Sequence, residues 1–260
     1  MQRLIASYHK TGTTLMADVM GDVADALGWK LQNLYGLVRK SDIDPGADIV
    51  LLPHALLDFT PIGPDQRVVR LIRDPRDIWV SSYCYHLRCD EDWCTGRYTD
   101  LSAPILWPRV DFPLEHRAEA WKRDYLESLA GFSYQETLRS LDQDQGLVFE
   151  HRHCTSWTLD AMRQWRAGGC DVKLEDFARN YEMTWHGLFC FLLFPPRAIT
   201  VALNMARRHD IAHMTDAQIA AHRVASRRPS DWRRFLTLDQ AEEFETIHRD
   251  LILSLGYPLV

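Results

Sequence analysis

Long apolar runs are missing from this 260-residue chain. The longest, Leu188 to Phe194, stops at Pro195-Pro196, far short of the roughly 20 residues a bilayer-spanning helix needs. No membrane association is expected. A basic excess is missing as well. Thirty Lys and Arg against 36 Asp and Glu give a net charge of −6, which argues against a nucleic-acid partner for the molecule as a whole. Anion binding must then come from local clusters. The start of the chain carries no secretory signal pattern, so the expected location is cytoplasmic. Cysteine is sparse, with Cys84, Cys89, Cys94, Cys154, Cys170 and Cys190, and these are expected to be reduced thiols. Neither Cys84-x-His86-x2-Cys89-x4-Cys94 nor His151-x-His153-Cys154 has the paired CxxC spacing of structural zinc sites. No metal is expected. Internal repeats, low-complexity stretches and long linkers are all lacking.

What is present reads as an ordinary globular chain, 46% hydrophobic and 25% charged. The length suits one large α/β domain or two small ones. Leu4-Ile5-Ala6 forms a short apolar run almost at the start. Met16, Val19, Met20, Val23 and Leu27 then recur at helical spacing, and Gly28 stands where a helix stop belongs. Ile49 to Leu52 and Val68 to Ile72 are continuous apolar runs, the pattern of strands covered on both faces. Asp74-Pro75 is a cap followed by proline at the first helical position, so a helix is predicted to about Leu87. Residues from about 88 to 113 look irregular, and helical spacing returns from His116 to Leu129. Cys170 to Leu174 reads as a strand, with a helix starting near Asp176. Thr237-x-x-Gln240 is a capping box. The helix it opens is expected to bury Leu238, Ala241, Phe244, Ile247, Leu251 and Leu255, ending at Gly256. Strands alternating with helices predict a mostly parallel central sheet with helices on both faces, in a single α/β domain.

The chemistry gathers at strand ends. Tyr8-His9-Lys10-Thr11-Gly12-Thr13-Thr14 follows the first strand and opens the first helix. A helix N-terminus offers backbone N–H groups and a favourable dipole to a phosphate-like anion. The loop differs from GxxxxGK[ST], since its Lys precedes the Gly and two Thr follow. Lys10 lies just past the first strand, His54 just past the second and Arg73 at the end of the third. In open α/β sheets ligands bind outside the carboxyl ends of the strands, so parallel neighbours would put all three in one cleft. Each has a plainer reading alone: a solvated loop lysine, a loop or core histidine, and an arginine in local ion pairs with Asp74 and Asp77. For Ser81 the plain reading is an exposed helical serine. Only the joint pattern points to a site.

The loop Tyr8 to Thr14 resembles the 5′-phosphosulfate loop of sulfotransferases that use 3′-phosphoadenosine 5′-phosphosulfate (PAPS). Arg73-Asp74-Pro75-Arg76-Asp77-Ile78-Trp79-Val80-Ser81 is similar to their 3′-phosphate motif, in which an Arg and a Ser eight residues on hold that phosphate. Val172 to Phe177 resembles a hydrophobic-Glu-Asp segment of the family. Arg227-Arg228-Pro229-Ser230-Asp231-Trp232 resembles its C-terminal loop that closes over the nucleotide, here about residues 222 to 237. The resemblance implies one sulfotransferase domain over residues 1–260 with a P-loop-like fold. It also implies sulfuryl transfer from PAPS to a hydroxyl or amine of a small-molecule or carbohydrate acceptor, with 3′,5′-diphosphoadenosine (PAP) as product and no metal. Lys10, Thr11, Gly12, Thr13 and Thr14 would hold the 5′-phosphosulfate, Lys10 stabilising the leaving oxygen. Arg73 and Ser81, with Arg227 or Arg228, would fix the 3′-phosphate. His54 would take the acceptor proton. The acceptor would lie by the irregular segment.

Departures from the family pattern are specific. His9 stands where the usual residue is Pro, and Leu15 where many members stack an aromatic on adenine. His54 follows Leu52-Pro53 in place of Lys-Thr, and the closing loop lacks the usual glycines. A homodimer is left open, although the dimerisation motif of animal cytosolic members has no copy here. Two other readings stand beside this one. A P-loop kinase or related phosphotransferase would need acidic magnesium ligands and a Lys after the Gly. A non-catalytic nucleotide-binding protein would keep the cradle and lack the base.

Overall fold

The structure is a computed structural model that describes residues 1–57, 63, 65–98, 119–215 and 231–260. Its strands are β1 (Gln2–Ser7), β2 (Leu31–Asn33), β3 (Gly36–Val38), β4 (Ile49–Pro53), β5 (Ala55–Leu57), β6 (Gln66–Ile72) and β7 (Cys170–Lys173). The helices are α1 (Thr13–Leu27), α2 (Pro75–His86), α3 (Asp92–Thr95), α4 (Glu119–Leu129), α5 (Tyr134–Ser140), α6 (Gln143–Glu150), α7 (Ser156–Arg163), α8 (Leu174–Arg179), α9 (Tyr181–Phe191), α10 (Pro196–Ala206) and α11 (Leu238–Ser254). Contacts divide the chain into two compact units, Met1–Arg73 with Gln164–Ser230, and Asp74–Arg163 with Asp231–Val260.

The first unit is α/β. Five strands form one sheet in the order β2-β4-β1-β6-β7, and every neighbouring pair is parallel. The opening strand is thus central, and the chain builds outward on both sides of it. Continuous apolar runs suit these strands because both faces are covered. On one face Ile5, Ile49, Leu51, Val69 and Leu71 meet Met16, Val19, Met20 and Val23 of α1. Trp185, Leu188 and Phe189 of α9 join the same core, as do Ala198, Ala202 and Ala206 of α10. One small residue per turn on α10 lets that helix come close to its neighbours. The other face, Leu4, Ala6, Val50, Leu52 and Val68, is covered within this unit by Val38, Ile43, Ala47, Leu57 and Trp165 rather than by a helix. Strands β3 and β5 form a separate parallel pair.

Helix α1 ends as its sequence predicts. Gly28 adopts φ +64°, and its N–H closes on the carbonyls of Ala24 and Asp25. Helix α8 begins at Leu174, two residues earlier than expected, directly from β7.

The second unit is helical among its described residues. Asp74 caps α2 by accepting from Arg76 N at 3.0 Å, with Pro75 at the first position. The capping box at α11 is formed in both directions, Gln240 N to Thr237 Oγ1 at 3.2 Å and Thr237 N to Gln240 Oε1 at 2.9 Å. The buried face of α11 differs from the apolar pattern. Leu238 and Ile247 are each 58% exposed, whereas Glu245 and His248 are buried beside Ala241, Phe244 and Leu251. The reason is polar pairing, since Glu245 and His248 each meet charged or titratable partners inside the unit. The segment predicted to be irregular contains the single helical turn α3; its residues 99–113 lie outside the described ones.

Candidate functional site

The β1–α1 loop is held by its own hydroxyl groups. Thr11, fully buried, accepts from Tyr8 N at 2.8 Å and donates to Tyr8 O at 3.0 Å. Thr13 Oγ1 also donates to Tyr8 O, at 3.0 Å, and lies 3.0 Å from Ser7 Oγ, which therefore donates to it. One carbonyl thus gathers both threonines and shapes the turn. Each hydroxyl has a single proton, so in this arrangement neither Thr11 nor Thr13 has one left for a ligand. Thr14, the next residue, is exposed.

Gly12 caps α1 at φ +105°, and the first helical bond runs from Met16 N to Gly12 O. The first-turn amides of Thr13, Thr14 and Leu15 precede that bond and have no intrahelical acceptor. No acidic side chain occupies the first turn to satisfy them. A Cβ on Gly12 would come within 2.9 Å of Leu174 Cδ1. The dihedral favours glycine there, and a Cβ would in addition force the Leu174 methyl to move.

Three strand ends converge beside this helix start. Ser7 of β1 is in register with Pro53 of β4, and Ala6 with Arg70 of β6. Lys10, His54 and Arg73 therefore follow the carboxyl ends of the three central, adjacent, parallel strands. His54 N–H donates to Ser7 O at 2.9 Å, which carries the β1–β4 ladder one residue past the strand. Arg73 is 5% exposed, and its Nη1 donates to Lys10 O at 3.0 Å, tying the end of β6 to the loop. Lys10 and His54 both have left-handed backbones, φ +63° and +53°. That conformation costs an L-residue roughly 1–2 kcal/mol, and such strain persists where surrounding structure imposes it, commonly at functional sites. The rings of His9 and His54 lie 5.9 Å apart between centroids.

Ser81 is on α2 in the second unit and is partly buried. Arg227 and Arg228 lie outside the described residues.

Within the second unit, the charges of the Arg73–Ser81 stretch are largely structural. Arg76 is 1% exposed. It grips Asp74 through Nε to Oδ1 at 2.9 Å and Nη2 to Oδ2 at 2.7 Å, and it also binds Glu245 and the Pro258 carbonyl. Its guanidinium stacks 4.4 Å over the ring of Trp232, whose backbone N–H donates to Asp77 Oδ1 at 2.8 Å. Asp74 is consequently engaged by Arg76.

Two buried polar clusters in that unit were not predicted as clusters, although His86, His151 and Cys154 lie in the Cys- and His-containing stretches that the sequence shows. His86 Nδ1 sits 3.0 and 2.9 Å from the two oxygens of Glu150, which also accept from Ser82 at 2.6 Å and Tyr134 at 2.8 Å. Burial alone would raise the Glu150 carboxyl, but the facing His86 charge and these hydrogen bonds hold it below its ordinary value. His86, Glu150 and Cys154 are the one group of His, Cys and carboxylate side chains within ligand reach of one another among the described residues. Its carboxylate is already engaged by three protein groups, so hydrogen bonding accounts for the cluster. In the second cluster His151 Nε2 lies 2.7 Å from His248 Nε2, and Arg163 Nη2 lies 2.5 Å from His248 Nδ1. Arginine donates, so His248 carries its proton on Nε2 and is neutral. Burial, then the facing His151 and Arg163, push its pKa down to about 3. No disulfide joins the six cysteines.

No helix among the described residues is long and apolar enough to cross a membrane. No protein-family model matches the chain, and no curated protein matches it. Among solved structures, the chain is similar to the crystal structure of a mouse sulfotransferase, SULT7A1, complexed with PAP. The TM-score is 0.46 and the identity 14%, over 98% of this chain and 86% of that one.

Proposed function

We propose that this chain is a PAPS-dependent sulfotransferase acting on a hydroxyl or amine of a small-molecule or carbohydrate acceptor. One observation carries the reading: Lys10, His54 and Arg73 follow the carboxyl ends of three adjacent parallel strands, beside a helix whose first turn contains no acidic residue. A doubly anionic phosphosulfate suits such a place, because fixed donors there need no rearrangement as charge develops. In the proposed reaction the acceptor oxygen or nitrogen attacks sulfur, and the bond from sulfur to the 5′-phosphate oxygen breaks. Lys10 and the first-turn amides of α1 take up the charge appearing on that oxygen. His54 takes the acceptor proton. With Thr11 and Thr13 occupied by Tyr8 O, the threonine contribution falls to backbone amides and to Thr14.

Arg73 is assigned to the 3′-phosphate, where a buried guanidinium offers paired donors. Ser81, Arg227 and Arg228 enter the proposal through their places in the motifs alone. The test is thermal stabilisation by PAP, ADP and ATP, each with and without magnesium. Saturating PAP at 100 times its Kd should add roughly 2.7 kcal/mol of stability, independent of metal. Stabilisation by ATP and magnesium alone would move the assignment to a phosphotransferase. Binding of PAP with no turnover of PAPS across phenols, sterols, sugars and amines would move it to a non-catalytic nucleotide binder.

A further inference from the structure

Every group drawn so far from the β1–α1 loop belongs to the motif it resembles, except one. His9 takes the place of a proline, and the structure buries it to 8% exposure beside His54. Proline could only stiffen the loop, whereas histidine brings a second imidazole to the strand ends. The two rings are 5.9 Å apart and inclined at 39°, within the range in which aromatic side chains pack on one another.

The backbone brings the two residues side by side. Ser7 pairs with Pro53 in register, and the next bond of the ladder is His54 N–H to Ser7 O at 2.9 Å. His9 is two residues beyond Ser7, and His54 one beyond Pro53. The left-handed turn at His54, φ +53°, changes the chain direction right after the ladder ends. Lys10, also left-handed, does the same on β1, and its carbonyl is held by Arg73 Nη1 at 3.0 Å. Both imidazoles thus hang from backbones that the sheet and the loop hold rigid.

A base of this kind works only if its ring plane presents one nitrogen to the proton it must take. The ladder fixes where the His54 backbone is but leaves rotation about its side-chain bonds. We infer that His9 is a positioning residue, whose ring limits that rotation and sets the plane of the His54 imidazole. The inference rests on reading His54 as the base, and His9 acts through it with no contact to the reacting atoms.

The test uses the whole chain labelled with 15N histidine, with imidazole correlation spectra at pH 7.5. His9→Phe keeps a ring at the contact and His9→Ala removes it; if His9→Ala fails to fold, His9→Leu takes its place. The His54 ring signals and tautomer ratio should shift in His9→Ala and return toward the wild type in His9→Phe. The concentration of PAP giving half-maximal stabilisation should change less than about twofold in both variants. His54 signals unmoved in His9→Ala (or Leu), or displaced equally in His9→Phe, would overturn the positioning role. Failure of PAP to stabilise the unmodified protein would instead overturn the sulfotransferase reading, so the two failures are separately visible.

Discussion

Replacing Gly12 by alanine tests the cradle at its narrowest point. The added Cβ meets Leu174 Cδ1 at 2.9 Å and Leu71 Cδ1 at 3.7 Å, on a backbone at φ +105°. The first distance is too short for carbon atoms, but a leucine methyl can move. An off-rotamer leucine costs about 0.5–1.5 kcal/mol, and the backbone conformation about 1–3 kcal/mol more for an L-residue. Together Gly12→Ala should destabilise by about 2–4 kcal/mol. Gly28 supplies the control: it too has positive φ, +64°, yet a Cβ there meets nothing within 4 Å. Gly28→Ala should therefore cost only about 1–2 kcal/mol.

Urea unfolding separates the two. The double variant Gly12→Ala/Leu174→Ala then isolates the collision, because it removes the overlap and leaves the dihedral cost. Its stability should exceed that expected from adding the two single effects. The same glycine positions the first-turn amides of α1, so PAP affinity should fall in Gly12→Ala and hold in Gly28→Ala. Equal stability losses in the two single variants, with PAP binding unchanged in Gly12→Ala, would refute the reasoning about this loop.

Lys10→Ala should reduce sulfuryl transfer by orders of magnitude while unfolding free energy changes little, as read from PAPS turnover and urea unfolding; near-normal turnover would remove Lys10 from the site. Arg73→Ala should weaken PAP binding by about 2–4 kcal/mol by calorimetry, from the lost charge-assisted contacts. Glu150→Ala should cost about 2–4 kcal/mol of stability, because it removes the buried acceptor shared by Ser82 Oγ, Tyr134 Oη and His86 Nδ1; a loss below about 1 kcal/mol would contradict the importance of that network. Acid should destabilise the second unit through His248. Its folded pKa, about 3, lies below the unfolded value of about 6.5, so the folded state binds fewer protons and stability falls as pH drops below 6.5. The linkage amounts to roughly 2 kcal/mol by pH 5, and His248→Phe should flatten that part of the pH–stability curve.

Much of the fold could be read from the chain alone. Apolar runs at Ile49 and Val68, the Gly28 stop and the Asp74-Pro75 start all give local signals, and the structure forms each element within two or three residues of expectation. That Lys10, His54 and Arg73 follow the ends of adjacent parallel strands was legible too, because the apolar runs and a parallel arrangement suffice to predict it. Hydroxyl geometry was not. Thr11, Thr13 and Thr14 look alike in sequence, and only the position of Tyr8 O divides them. Helix α11 shows another limit. Leu238 and Ile247 share the helical period with Phe244, yet Glu245 and His248 take the buried places because their partners Arg76, Arg163 and His151 come from distant segments. Helix α5 was missed despite a usable signal, the box Ser133-x-x-Glu136 that the structure closes in both directions.

The stretch from Arg73 to Asp77 shows how an apparent phosphate motif divides its labour. It offers two arginines and two aspartates within five residues, which in sequence are interchangeable. Asp74 ends up both capping α2 and neutralising Arg76, two tasks that need its carboxylate at the helix start. Arg76 is thereby drawn inward, where Glu245, the Pro258 carbonyl and the Trp232 face complete its shell. A guanidinium buried to 1% exposure with four protein partners is unsuited to reach a ligand. Asp77 is occupied in turn by the Trp232 backbone N–H. The structural burden of the motif thus falls on Asp74, Arg76 and Asp77. Arg73 donates to the Lys10 carbonyl and so ties the motif to the β1–α1 loop. On the proposed assignment, a shift of this guanidinium toward a bound 3′-phosphate would pull on the carbonyl of the lysine proposed to face the sulfate.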